Sequence, residues 1–223
     1  MPTIRKNSLV SGQTYHIYTR SIAGFEIFRS REDFERLVVG MNYYNCSSSR
    51  QRFSTYLELS AEAKQRVDES LGESELVQLI AYCVMPTHIH LIVKQLEDNG
   101  ISRFMNNTLN SFTRYFNLSH QRRGPLWESR FKNVLVDNDE QLLHLTRYVH
   151  LNPTSAELVT SPEDWEFSSY RLYIDSQNIQ TFCRWRELID IRPEEYRKFA
   201  RSRIAYQRSL SQIKQLLIDG YTG

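Results

Sequence analysis

Two apolar, β-rich runs, 76–84 and 88–94, are separated by only Met85-Pro86-Thr87. That gap leaves room for a tight turn and little else, so the runs pair as an antiparallel hairpin, with Pro86 stopping the first strand. The segments around this hairpin fix its context. Residues 14–19 (Thr14-Tyr15-His16-Ile17-Tyr18-Thr19) are β-branched and aromatic and predict an earlier strand. Residues 30–44 carry Phe34, Leu37, Val38 and Met41 at helical spacing, with Glu32 and Asp33 near the start. Downstream, 101–118 places Phe104, Leu109, Phe112 and Phe116 near a helical period, and 131–136 alternates as a fourth strand. Asp137 or Asn138 then caps a helix from Asp139 towards Leu151, which Pro153 ends. The order β-α-β-β-α-β plus one more helix predicts an α+β, ferredoxin-like (βαββαβ) sheet with a helical C-terminal extension.

At 223 residues the chain suffices for one packed domain and an appendage. The division expected is a main domain over 1–174, interrupted by a polar insertion at 46–75, and a basic helical extension over 175–223. Within that insertion Ser47-Ser48-Ser49 reads as a loop and 60–71 as a short helix. No apolar run is long enough to span a membrane, and residues 1–6 lack the apolar core of a signal peptide. Cys46, Cys83 and Cys183 are odd in number and scattered, which suits a reducing, cytoplasmic location. The net charge of +2 is unevenly spread: 101–150 holds 7 basic and 4 acidic residues, and 196–214 holds six cations and no acid. Such stretches either track a phosphate backbone or form solvated helix faces.

His88-Ile89-His90 lies in the second strand of the hairpin. Residues i and i+2 of a strand face the same side, so both imidazoles project together while Ile89 points to the other face. Two neutral imidazoles are suitable ligands for a divalent metal. Position 92 is isoleucine, which breaks an HxHxD pattern, and no HExxH is present, so a third ligand has to come from elsewhere. The late helix offers candidates. His144, Tyr148 and Asn152 fall at i, i+4 and i+8 on one stripe, while Leu142, Leu145 and Val149 form the apolar one. Asn152 and His144 are competing third ligands. Tyr148, a phenol with an ordinary pKa of about 10, becomes a useful nucleophile where a metal polarises a phosphate.

Four stretches, in order, give the chain a specific resemblance: Tyr82-Cys83-Val84-Met85-Pro86-Thr87-His88-Ile89-His90-Leu91, Gly124-Pro125-Leu126-Trp127-Glu128-Ser129-Arg130-Phe131, Arg147-Tyr148-Val149-His150-Leu151-Asn152-Pro153 and Trp165-Glu166-Phe167-Ser168-Ser169-Tyr170. The sequence resembles the HUH single-tyrosine transposases, and among them the REP-associated tyrosine transposases. The resemblance implies that His88, His90 and Asn152 bind Mg²⁺ or Mn²⁺. It implies that Tyr148 cuts single-stranded DNA near imperfect palindromic hairpins through a 5′-phosphotyrosine intermediate. A monomer is the favoured state, and a dimer exchanging the tyrosine helix is the alternative.

Arg122, Arg123, Arg130 and Lys132 flank Trp127, an arrangement suited to stacking a base and holding its phosphates. The alternatives are that Trp127 caps the core and that Arg130 pairs with a structural carboxylate. The expected function is a transposase-like endonuclease and strand transferase. The alternatives are a DNA-binding regulator that keeps the fold without the chemistry, and a small-substrate HxH metallohydrolase, which the missing acidic ligand near His90 disfavours.

Overall fold

The computed structural model describes residues 8–47, 52–71, 75–175 and 182–219. Residues 1–6, Ser48 and Ser49 of the expected loop lie outside the described residues, as does the side chain of Lys214. Four strands, β1 (Thr14–Arg20), β2 (Val77–Met85), β3 (His88–Gln95) and β4 (Lys132–Leu135), form one sheet in the order β2-β3-β1-β4. All three pairings are antiparallel. This is the ferredoxin-like arrangement expected from the element order: each βαβ half leaves a gap that the other half's strand fills.

Helices α1 (Arg31–Tyr44) and α4 (Gly100–Ser119) pack side by side on one face of the sheet. Ser30 and Asp33 start α1 with a reciprocal capping box, which satisfies two backbone donors at the helix end. Gly100 begins α4 where a Cβ would come within 2.3 Å of the Leu76 carbonyl oxygen, so the close approach of α4 to the edge of β2 requires glycine. The core on this side is built from Tyr15, Ile17, Ile89 and Leu91 of the sheet against Phe34, Leu37, Phe104 and Phe112 of the two helices.

The 46–75 stretch supplies two short helices, α2 (Phe53–Leu57) and α3 (Ala61–Leu71), and a small separate cluster in which Phe53 and Tyr56 pack on Tyr43 at the end of α1. It lies beside the sheet core rather than inside it.

The opposite face of the sheet is covered as well. Helix α5 (Asp139–His150) starts at Asn138, whose side chain accepts from the Gln141 backbone NH at 2.8 Å, and it packs across β2 and β3. It is followed by α6 (Asn152–Ser155), α7 (Tyr170–Ile174), α8 (Pro193–Arg201) and α9 (Ile204–Asp219). Trp185 and, from α8, Tyr196 and Ala200 enter the same core as Val149 of α5 and Cys83 and Ile92 of the sheet. Coverage on both faces explains why every residue of β2 is buried. A bulge at Ile80 adds to this: Leu79 pairs with Val93 but Ala81 with Ile92, so Ile80 and Ala81 both serve the α5 side.

A buried polar network ties the C-terminal helices to α5. His150 bonds Tyr196 Oη through Nδ1 at 2.6 Å and Ser169 Oγ through Nε2 at 2.7 Å, and the Tyr196 hydroxyl also reaches Thr146 Oγ1 at 3.1 Å. Burial pushes the His150 pKa down to about 3. The folded state therefore holds His150 neutral, whereas the unfolded chain protonates it near its ordinary value of 6.5. Stability due to this group is present above pH 6.5 and falls as the pH drops from 6.5 towards 3. Urea unfolding is expected to show a loss of roughly 2 kcal/mol from His150 alone between pH 7.5 and pH 5. Buried His16 and His88 act in the same direction. A midpoint unchanged or raised at pH 5 would contradict this.

Candidate active site

The alternation of β1 and β3 brings five polar side chains to the sheet face that α5 covers. Tyr18 pairs with His90, Arg20 with His88 and His16 with Ile92, so residues 16, 18 and 20 of one strand share a side with 88 and 90 of the other. Tyr148 of α5 meets them. Together these side chains, with Val134 of β4 and Leu145 of α5, line a cleft of about 450 Å³. The side chains lining the cleft include no aspartate or glutamate.

The histidines are held by neighbours rather than by chance rotamers. His88 Nδ1 lies 2.9 Å from Thr87 Oγ1, which leaves Nε2 for an external partner. His90 Nδ1 lies 3.0 Å from His16 Nε2, and the two rings are nearly parallel with centroids 5.2 Å apart. His88 and His90 are 5.0 Å apart, ring to ring, and close to perpendicular. Burial lowers the pKa of His16 and of His88 to about 4, with Arg20 adding to the effect on His88. His90 is driven well below its usual range, first by burial and then by His88, His16 and Arg20. All three imidazoles are therefore neutral at physiological pH, the form that offers a lone pair to a cation.

Tyr148 stands edge-on to this group, its ring centroid 5.7 Å from His90 and 6.0 Å from His16. Burial raises its pKa, Arg20 opposes that shift, and Tyr18 adds to it. The phenol is thus protonated at rest and gains from any cation brought close to its oxygen.

Asn152 takes a different position from the one helical spacing alone gives. Pro153 has no NH to offer the end of α5. The Asn152 amide nitrogen fills that role, donating to the Tyr148 carbonyl at 2.9 Å and the Val149 carbonyl at 3.4 Å. It caps the tyrosine helix and does not line the cleft. His144 is exposed, bonds Arg147 at 2.9 Å and packs edge-on against Phe199, also away from the cleft.

Of the residues expected to meet DNA, Lys132 reaches the rim, its Nζ 5.9 Å from the Tyr18 ring centroid. Arg123 and Arg130 are exposed. Arg122 is committed to its own loop, donating to Asn117 Oδ1 and the Pro125 carbonyl. Trp127 packs against Phe28 and Phe112, and its indole NH donates to Thr113 Oγ1 and the Leu109 carbonyl, so it closes the α4 side of the core.

His16, Tyr18 and Arg20 are the members that motif reading missed. Their i, i+2, i+4 spacing in the first strand was the available signal; which face they share depends on the pairing register.

The donor set can be weighed against a divalent ion. Two neutral imidazoles, each with one nitrogen engaged by a supporting group and the other turned to external partners, suit a metal. Among the described residues no cluster of three or more His, Cys, Asp or Glu side chains is arranged to complete such a site. The fit is that of a two-histidine half-site which needs a neutral oxygen ligand or substrate to complete it.

Sequence comparison gives the class to which this fold and cleft belong. Residues 40–152 match the family model described as "Transposase IS200 like", a span that includes the 46–75 stretch, and the chain belongs to that family. A Haemophilus influenzae protein whose name assigns it to the REP-associated tyrosine transposases is 29% identical over 103 residues, covering 42% of this chain and 58% of the relative. The chain thus matches little more than half of that relative's length. A solved structure of a REP-associated tyrosine transposase bound to a REP hairpin superposes with a TM-score of 0.52 at 14% identity, covering 85% of this chain and 94% of the other. At that identity the likeness speaks for the fold.

The His16 contact makes a prediction that needs neither metal nor DNA. Nitrogen-15 NMR of the wild type is expected to show His90 as a single tautomer, with hydrogen on Nδ1 directed at His16. His16→Phe should release it into a tautomer mixture. A mixture already present in the wild type would contradict the assigned role.

Proposed function

We propose that this chain cleaves and rejoins single-stranded DNA beside a hairpin, with Tyr148 as nucleophile and His88 and His90 as metal ligands. The observation that carries the reading is the edge-on approach of Tyr148 to His90, in one cleft with His88 and free of acidic side chains. Membership of the IS200-like transposase family supports the class of chemistry. The hairpin-bound relative supports the kind of DNA.

His88 and His90, with Asn152 as third ligand, would hold Mg²⁺ or Mn²⁺, which would supply neutralisation of the charge developing on the scissile phosphate. The chain's residues do the rest. The Tyr148 oxygen bonds to phosphorus as the bond from phosphorus to the deoxyribose 3′-oxygen breaks. The phenol loses its proton to water and the departing 3′-oxygen gains one. The product, a 5′-phosphotyrosine, is still a phosphodiester, so a second 3′-hydroxyl can reverse the step on another strand without an energy source. Asn152 reaches the cleft by leaving its cap. The Tyr148 carbonyl also accepts from Gln207 Nε2 of α9 at 3.1 Å, so it stays bonded when the Asn152 amide turns away.

In this scheme 1–174 carries the chemistry, and within the 175–223 extension Tyr196 of α8 and Gln207 of α9 buttress the tyrosine helix. Among the described residues no helix is long and apolar enough to cross a membrane. Action as a cytoplasmic monomer is part of the proposal.

A second reading, a DNA-binding regulator that keeps the fold without cutting, draws on the committed Asn152 amide. The two part in one assay. Wild-type protein given hairpin-bearing single-stranded oligonucleotides and Mg²⁺ is expected to form a covalent protein–DNA adduct that EDTA abolishes, and Tyr148→Phe to form none. Full adduct formation by Tyr148→Phe would sink the nucleophile assignment. Tight, metal-independent binding without cleavage would favour the regulator.

A further inference from the structure

We infer that Arg20 is the cation that receives the scissile phosphate in this cleft, a role that rests on the reading of the cleft as a DNA-cleaving site. Arg20 ends β1 directly across from His88 and lines the cleft with His88, His90 and Tyr148. Its side chain is exposed at the mouth, and among the described residues no carboxylate forms an ion pair with it. Many of the other arginines have partners already. Arg31, Arg103, Arg184, Arg192 and Arg201 form salt bridges with glutamates. Arg147, next to Tyr148 in sequence, stacks on Phe199 at 4.0 Å and bonds His144.

The cleft's charge balance gives this unpaired guanidinium a purpose. Its walls carry neutral imidazoles and the protonated Tyr148 phenol, with no acidic side chain. Such a site carries an uncompensated positive charge at its entrance, and a phosphodiester, with one negative charge and two non-bridging oxygens, complements it. A planar guanidinium can donate to both oxygens at once, which a lysine ammonium does only as a point charge. Lys132, the other cation near the rim, has its Nζ over the Tyr18 ring and suits a neighbouring phosphate along the strand.

The test separates binding from cutting. In a Tyr148→Phe background with EDTA present, affinity for a fluorescent, hairpin-bearing single-stranded oligonucleotide is measured over a KCl series. Adding Arg20→Ala is expected to weaken binding about tenfold at 0.1 M salt and to lower the slope of log K against log salt by about one. Arg20→Lys should keep the slope. With Tyr148 intact and Mg²⁺ present, it should recover only part of the adduct rate that Arg20→Ala loses, because the bidentate fork is gone. An Arg20→Ala protein with unchanged affinity, slope and adduct rate would overturn the inference, and so would a parent protein that binds no oligonucleotide. If the wild type forms no adduct but the slope still falls on Arg20→Ala, the cleavage reading fails and the phosphate site stands. If the wild type forms adduct and the slope does not move, the reverse holds.

Discussion

The antiparallel register between β1 and β3 is the constraint on which everything functional here depends. Pairing Tyr18 with His90 and Arg20 with His88 sends His16, Tyr18, Arg20, His88 and His90 to one face, and Tyr15, Ile17, Ile89 and Leu91 to the other. A slip of one residue would exchange the two sets, burying imidazoles against α1 and α4 and turning leucine and isoleucine towards the cleft. The apolar set therefore holds the polar set in place: the packing that stabilises the domain also aims the histidines.

The same economy appears on the tyrosine side. Helix α5 is gripped at its C-terminal turn by groups outside it, with His150 bonded to Tyr196 and Ser169 and the Tyr148 carbonyl bonded to Asn152 and Gln207. These contacts come largely from beyond residue 165, which makes the C-terminal helices part of how Tyr148 is presented. Burial keeps the cleft histidines neutral, and the guanidinium of Arg20 stands at the entrance of the cleft that Tyr148 lines. Under the proposed function a negatively charged strand is drawn to this entrance, where the Tyr148 phenol waits in its protonated form.

Much of this was legible in the sequence, for identifiable reasons. The three-residue gap at Met85-Pro86-Thr87 dictates a β-hairpin, and strand alternation alone places His88 and His90 on one side. Helical spacing sets Tyr148 apart from Leu142 and Val149, which are buried, but Leu145, expected in the same apolar stripe, lines the cleft beside Tyr148. What escaped were features set by pairing or by competition between neighbours. The contribution of His16, Tyr18 and Arg20 depends on the register with β3, which no single segment encodes. Asn152 sits one helical turn beyond Tyr148, but the missing NH of Pro153 draws its amide to the helix end. Trp127 among arginines suits both a stacking platform and a cap on the core, and Phe28, Phe112 and two acceptors on α4 decide for the core. His144 shares a stripe with Tyr148, but Arg147 and Phe199 hold it at the surface.

A nucleophilic Tyr148 becomes covalently joined to DNA, and peptide mapping of the reaction product reads that bond. Wild-type protein would be incubated with Mg²⁺ and a hairpin-bearing single strand, digested with nuclease and protease, and analysed by mass spectrometry. The expected product is a nucleotide joined through a 5′-phosphate to the peptide containing Tyr148. A nucleotide on any other of the 13 tyrosines, or cleavage that leaves only free 5′-phosphate ends, would contradict it.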